Sequence, residues 1–152
     1  ILVPVDFSAI TARVTSVAAD LARAHKAGLV LLNVTPPITM VGDDTAYLES
    51  LGVLYDLESK SAVKRLDLLQ RATAKRGVPV RVVHLSGPAV PLIIDQARKV
   101  RADMIVIGSH GHTAFYDLLV GSTAHGVLKR ATCPVLVVPP AGTPRRPTPV
   151  RD

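Results

Sequence analysis

Tryptophan is absent from this 152-residue chain, and two phenylalanines and three tyrosines bring the aromatic content to only 3%. Proteins that hold single-stranded nucleic acid stack its bases on aromatic side chains, so no nucleic-acid partner is expected despite a mildly basic body. There is one cysteine, Cys133. A lone cysteine excludes an internal disulfide and a thiolate cluster for zinc or iron–sulfur binding, and it suits a reducing, cytoplasmic compartment. No apolar run approaches the roughly 18 residues of a transmembrane helix, and no charged-then-apolar leader precedes a small-residue cleavage site. A soluble protein without a membrane partner is therefore expected. The chain opens at Ile1 rather than methionine, already inside a strand pattern, which predicts that a few residues precede it. Also missing are any Gly-Lys-[Ser/Thr] triplet and any G-x-G-x-x-G run, which excludes a Walker A loop and the dinucleotide fingerprint.

What is present suffices for one packed domain. Hydrophobic residues make up 48% and charged residues 20%, close to the globular average, and the length suits a single core. The formal charge of +6 is unevenly spread, because Arg145, Arg146 and Arg151 stand against Asp152 in a segment that also holds Pro144, Pro147 and Pro149. Residues 1–140 read as the domain, and residues 141–152 as a disordered Pro/Arg-rich tail.

Along the domain, short apolar runs alternate with helical patterns. The runs at 1–5, 29–34, 78–83, 104–107 and 135–138 are rich in valine, isoleucine and leucine, and several carry no polar residue. Apolarity on both faces points to a parallel sheet covered by helices. Between the runs, Ile10, Val14, Val17, Ala18, Leu21 and His25 recur at helical spacing, with Ser8 as N-cap and Gly28 as the stop. Leu48, Leu51, Tyr55, Ala62, Leu66 and Leu69 predict one long helix over 44–76, irregular near Gly52 and closed by Gly77. Pro91 predicts the start of a third helix and Ser122 the start of a fourth that ends before Pro134. One long loop is expected from Thr35 to Asp43. The order βαβαβαβαβ implies an α/β fold: a single, doubly wound, five-stranded parallel sheet in the order 3-2-1-4-5, with helices on both faces.

Such sheets bind ligands beyond the carboxyl ends of the strands, where the winding reverses, which here lies between strands 1 and 4. Strand 1 delivers Pro4-Val5-Asp6-Phe7-Ser8 to that crevice, and strand 4 delivers Gly108-Ser109-His110-Gly111. After nine intervening residues, Gly121-Ser122-Thr123 open the last helix. Glycine lets backbone approach a ligand, and a helix N-terminus offers unpaired N–H groups suited to phosphate. The pattern therefore reads as an anion cradle built from backbone. His110 and His112 lack a spaced third ligand, so no metal site is expected there. His25, His84 and His125 read as ordinary packed or surface residues, and Cys133 as a small filler.

On these residues the chain strongly resembles the universal stress protein family. The G-x2-G-x9-G-[S/T] pattern of its ATP-binding members stands intact as Gly108, Gly111, Gly121 and Ser122. Val3-Pro4-Val5-Asp6-Phe7-Ser8, the run from Ala102 to Gly111, and Cys133-Pro134-Val135-Leu136-Val137-Val138-Pro139 are similar to that family as well. The resemblance implies a Rossmann-like fold of the adenine nucleotide alpha hydrolase type and a stress-response module that binds ATP with Mg²⁺. Val34 would meet adenine through its backbone, Asp6 would bond on the nucleoside side, and Pro4 and Val5 would line the wall. Gly108 would lie under the ribose, and Gly111, Gly121, Ser122 and Thr123 would hold the phosphates. Asn33 departs from the family, standing where many members have histidine.

Three functions compete. The first is a regulatory module whose nucleotide occupancy modulates conformation or partner binding. The second is a slow ATPase or phosphotransferase, using His110 or His112 as acid–base with Asp6 orienting water. The third is a nucleotide-free interaction protein, against which the intact glycine motif argues. No lysine or arginine lies between Gly108 and Val127, so any hydrolysis is expected to be slow, and the catalytic residues stay unassigned. The apolar strand of Val135, Leu136, Val137 and Val138 would lie at a sheet edge, and family resemblance adds that it forms a homodimer by antiparallel pairing there.

Overall fold

A computed structural model describes residues 1–36, 45–109 and 120–140 of the chain. Strands and helices alternate as β1 (Leu2–Pro4), α1 (Thr11–Ala24), β2 (Leu29–Thr35), α2 (Thr45–Ala74), β3 (Val80–Ser86), α3 (Ala89–Lys99), β4 (Ile105–Gly108), α4 (Ser122–Arg130) and β5 (Val135–Val138). The strands form one five-stranded sheet in the order β3-β2-β1-β4-β5, and each neighbouring pair is parallel. This is the doubly wound α/β arrangement expected from the apolar runs.

Successive side chains of a strand point to opposite faces, and both faces here are covered. Val3, Leu29, Leu31 and Val106 pack with Val14, Ala18 and Ala22 of α1 and with Leu66 of α2. Their neighbours Leu2, Val30, Leu32, Ile105 and Ile107 pack on the other side with Ile93, Ile94 and Ala97 of α3 and Ala124 and Val127 of α4. Neither face tolerates a polar stripe, which is why the runs read as unbroken apolar stretches. Among the described residues no helix is long and apolar enough to cross a membrane.

Several boundaries differ from the sequence reading, each for a local reason. Ser8 does not cap α1: the N-cap position falls on Ile10, with no side-chain cap, because the Ser8 hydroxyl and N–H are both bonded to Asp6. Gly28 does not stop α1 either. The helix ends in a Schellman turn in which Lys26, at φ 53°, takes the left-handed position and the Ala27 N–H donates to the Ala22 carbonyl at 2.8 Å. The same turn ends α3, with Arg101 at φ 50° and the Ala102 N–H bonded to the Ala97 carbonyl. Gly77, at φ 79°, does close α2 as expected. α2 runs through Gly52 without interruption, and α3 begins at Ala89, two residues ahead of Pro91. Pro91 sits in the first turn, where its missing N–H costs no helical bond. β3 extends to Ser86 because its pairing with β2 continues through Thr35. The rest of the long loop expected after Thr35 falls among residues 37–44, and the tail is residues 141–152; both lie outside the described residues.

Candidate functional site

A cavity of about 580 Å³ opens beyond the carboxyl ends of β1, β2 and β4, where β1 and β4 lie side by side and the winding reverses. Its volume falls within the range of about 300 to 1,000 Å³ usual for small-molecule sites. Three segments of backbone shape it, and α1, α2, α3 and α4 complete its walls.

On the β1 side, the Val5 N–H donates to the Leu32 carbonyl at 2.8 Å, after which the chain leaves the sheet. Asp6 makes the turn: its Oδ1 accepts from the Ser8 N–H at 3.0 Å and from the Ser8 hydroxyl at 2.6 Å, with Thr11 Oγ1 at 3.5 Å. The capping role that aspartate often plays is thus real here, but it serves the turn ahead of α1 rather than the helix itself. Phe7 lies in the left-handed region at φ 60°, a conformation that bulky side chains rarely adopt. From α2, Glu58, Ser61, Ala62 and Arg65 face the same cavity.

At the end of β2 the wall is held by a chain of hydrogen bonds. Asn33 is buried, at 5% exposure. Its Nδ2 donates to the Val5 carbonyl at 2.9 Å, and its Oδ1 lies 3.1 Å from His84 Nδ1. His84 Nε2 in turn lies 3.1 Å from the Ser59 hydroxyl. With the amide nitrogen of Asn33 engaged as donor, its oxygen must accept. His84 therefore donates from Nδ1, and in the neutral ring Nε2 is left to accept from the Ser59 hydroxyl. Four elements or their ends, β1, β2, β3 and α2, are tied together behind Val34.

On the third side, the Ser109 N–H donates to the Val138 carbonyl at 2.8 Å, and the Gly121 N–H donates to the Ser109 carbonyl at 2.6 Å. These two bonds bring the start of α4 beside the end of β4. Gly121 is the N-cap of α4 at φ −66° and ψ 162°, ordinary extended backbone, so what it contributes is the absence of a side chain rather than an unusual conformation. Among the described residues no side chain caps α4, and no acidic residue occupies its first turn. Its N-terminal N–H groups and partial positive charge are therefore turned to a cavity that Gly121, Ser122 and Thr123 line.

Of the residues singled out in the sequence, Pro4, Val5, Asp6, Val34, Gly108, Gly121, Ser122 and Thr123 all line this one cavity. Gly111, His110 and His112 lie outside the described residues. Among the described residues, no three histidine, cysteine, aspartate or glutamate side chains are grouped to hold a metal ion. Three features escaped the sequence reading. His84 is not an ordinary packed or surface residue but the middle of the Asn33–Ser59 chain. Arg65 brings a cation to the cavity from a helix remote in sequence, and Ala89 and Ile93 of α3 complete the wall. The one available signal was a polar residue at each of two strand ends, Asn33 inside one apolar run and His84 just past another. Only the register, which pairs them directly, gives that signal meaning.

Comparison with known proteins gives a consistent result. The sequence model of the Universal stress protein family matches residues 1–139. Universal stress protein A homolog 1 of Coxiella burnetii is 33% identical over 141 residues, covering 91% of this chain and 94% of the relative. The structure of universal stress protein UspA from Lactobacillus plantarum is similar at a TM-score of 0.80 with 28% identity, over 90% of this chain and 94% of that one. The universal stress protein of Archaeoglobus fulgidus, solved in complex with dAMP, shares the fold at a TM-score of 0.64 and 24% identity, over 90% of this chain and 94% of that one.

Proposed function

The chain belongs to the universal stress protein family, and we propose that it is a regulatory module that binds ATP in the cavity between β1 and β4. One observation carries the reading: the Asp6 turn and the N-terminus of α4 line the same cavity. The first offers a carboxylate to a nucleoside; the second offers backbone N–H groups and hydroxyls to phosphate. In this reading Val34 meets adenine through its backbone, with Pro4 and Val5 as the wall. Gly108 underlies the ribose, and Gly111, Gly121, Ser122 and Thr123 hold the phosphates. The dAMP complex of the Archaeoglobus fulgidus relative is in keeping with an adenine nucleotide.

Mg²⁺ would ride on the phosphate oxygens, since it keeps much of its water and needs few protein ligands. Bound, it would neutralise phosphate charge that the α4 N-terminus alone offsets only in part. Occupancy would modulate the protein's conformation or its partner binding. The protein would act in the cytoplasm as a homodimer paired through β5, with residues 1–140 as the working domain.

The test is to purify the protein, denature it and identify what was carried along by mass spectrometry. An adenine nucleotide released at near one per chain supports the reading. No co-purified nucleotide, together with no shift of the unfolding temperature on adding Mg²⁺-ATP, overturns it.

A further inference from the structure

We infer that Arg65 is a positioning residue of the cavity, holding the Phe7 turn so that the neighbouring Asp6 carboxylate meets the nucleoside; this rests on the nucleotide reading above and deepens it. Phe7 is held at φ 60°, where Cβ crowds the backbone and an aromatic residue persists only if its surroundings enforce the conformation. Phe7 packs against the core, and two contacts from one side chain add to that hold. Arg65 Nη2 donates to the Phe7 carbonyl at 3.1 Å, and the Arg65 guanidinium carbon lies 4.2 Å from the centroid of the Phe7 ring. The bond fixes the direction of the carbonyl, and the stacked cation fixes the side chain.

The base of this clamp is firm. Arg65 precedes Leu66, which is 1% exposed in the core, and follows buried Ala62 by three residues, so its stretch of α2 is anchored to the sheet. Arg65 itself is exposed, and among the described residues it forms no ion pair. Its hydrogen-bonding and stacking capacity goes instead to the residue that follows Asp6, across 58 positions of sequence. Asp6, Phe7 and Arg65 all line the cavity, so the strained residue and its clamp stand where the ligand is held. The Ser8 bonds to Asp6 Oδ1 set the turn from one side; Arg65 sets it from the other.

The experiment has a ligand-free arm and a binding arm, using wild type, Arg65→Met, Arg65→Lys, Asp6→Asn and the Asp6→Asn/Arg65→Met double variant. Without ligand, the ¹³C backbone shifts of Phe7 report its left-handed conformation. They should leave that range in Arg65→Met and return towards it in Arg65→Lys, with unfolding midpoints unchanged. In calorimetric titrations, Arg65→Met should weaken adenosine and ATP by the same factor, about tenfold for the loss of one well-placed hydrogen bond. The double variant should bind no more weakly than Asp6→Asn alone, because the effect passes through Asp6. Unchanged Phe7 shifts in Arg65→Met overturn the inference, as does a loss additive with Asp6→Asn. A loss much larger for ATP than for adenosine overturns it too, since that would make Arg65 a direct phosphate contact. If wild type binds neither ligand, the nucleotide reading fails, while the Phe7 shifts still decide whether Arg65 sets the turn.

Discussion

Replacing Asn33 by leucine breaks the hydrogen-bonded chain behind Val34 while keeping a similarly branched side chain. Asn33 is 5% exposed, so water cannot readily take over its bonds to the Val5 carbonyl and His84 Nδ1. A buried polar group left without a partner costs about 1 to 3 kcal/mol, and two are orphaned here. Burying the leucine side chain returns roughly 1.5 to 3 kcal/mol. The net loss should be about 1 to 3 kcal/mol, read as a lower urea midpoint at unchanged slope. His84→Leu orphans the Asn33 oxygen and leaves Ser59, which is only half-buried and can turn to solvent, so it should cost about 1 kcal/mol. The decisive variant is the double one. Once both partners are apolar, neither orphans the other, and the double loss should fall short of the sum of the single losses by about 1 kcal/mol or more. Additivity within about 0.5 kcal/mol would refute the network as a coupled unit. Because Asn33, Val5 and Val34 line the cavity, the same variants should also weaken adenosine.

Three further outcomes follow from the packing, the sheet edge and the cavity. Gly126→Ala should destabilise the protein by about 1 kcal/mol in urea unfolding, although alanine favours helices over glycine by a similar amount. An added Cβ would meet Val90 Cγ2 at 2.8 Å where α4 packs on α3, and a more stable variant would contradict that contact. The protein should scatter light as a dimer, and Leu136→Lys, which sets like charges on a strand paired with its own copy, should shift it to monomer. A concentration-independent monomer mass in the folded wild type would contradict pairing through β5. Phosphate release from Mg²⁺-ATP by the pure protein should take minutes or longer per turnover, against roughly 1 to 10³ per second for typical enzymes. Sustained turnover near one per second, abolished by His110→Ala or His112→Ala, would make the protein an enzyme instead.

The fold was legible because its signals are redundant. Unbroken runs such as Leu29–Leu32 and Ile105–Ile107 admit burial on both faces and little else, and alternation with helical periods then dictates parallel pairing. Helix ends were read less well, because Lys26 and Arg101 take positions where sequence rules look for glycine, and tertiary packing enforces them. Ser8 misled for a related reason: a hydroxyl two residues after an aspartate had a nearer carboxylate to bond. Asp6, Gly108 and Gly121 could be placed at the cavity from sequence because each stands at the end of an apolar run or the start of a helix. Arg65 and the His84 imidazole were not legible, because each acquires its role only from a partner 58 or 51 positions away. No local pattern marks an arginine that clamps a distant turn.

Nucleotide binding at the start of α4 is the claim on which the rest depends, and one calorimetric comparison tests it most directly. Gly121 holds extended backbone at φ −66°, which valine adopts without strain, so Gly121→Val changes the cavity by adding a branched side chain while leaving the fold available. Titrating Mg²⁺-ATP into wild type should give saturable binding near one per chain. The variant should show none, with its unfolding midpoint preserved. Equal affinity for ATP in the two proteins would contradict the account.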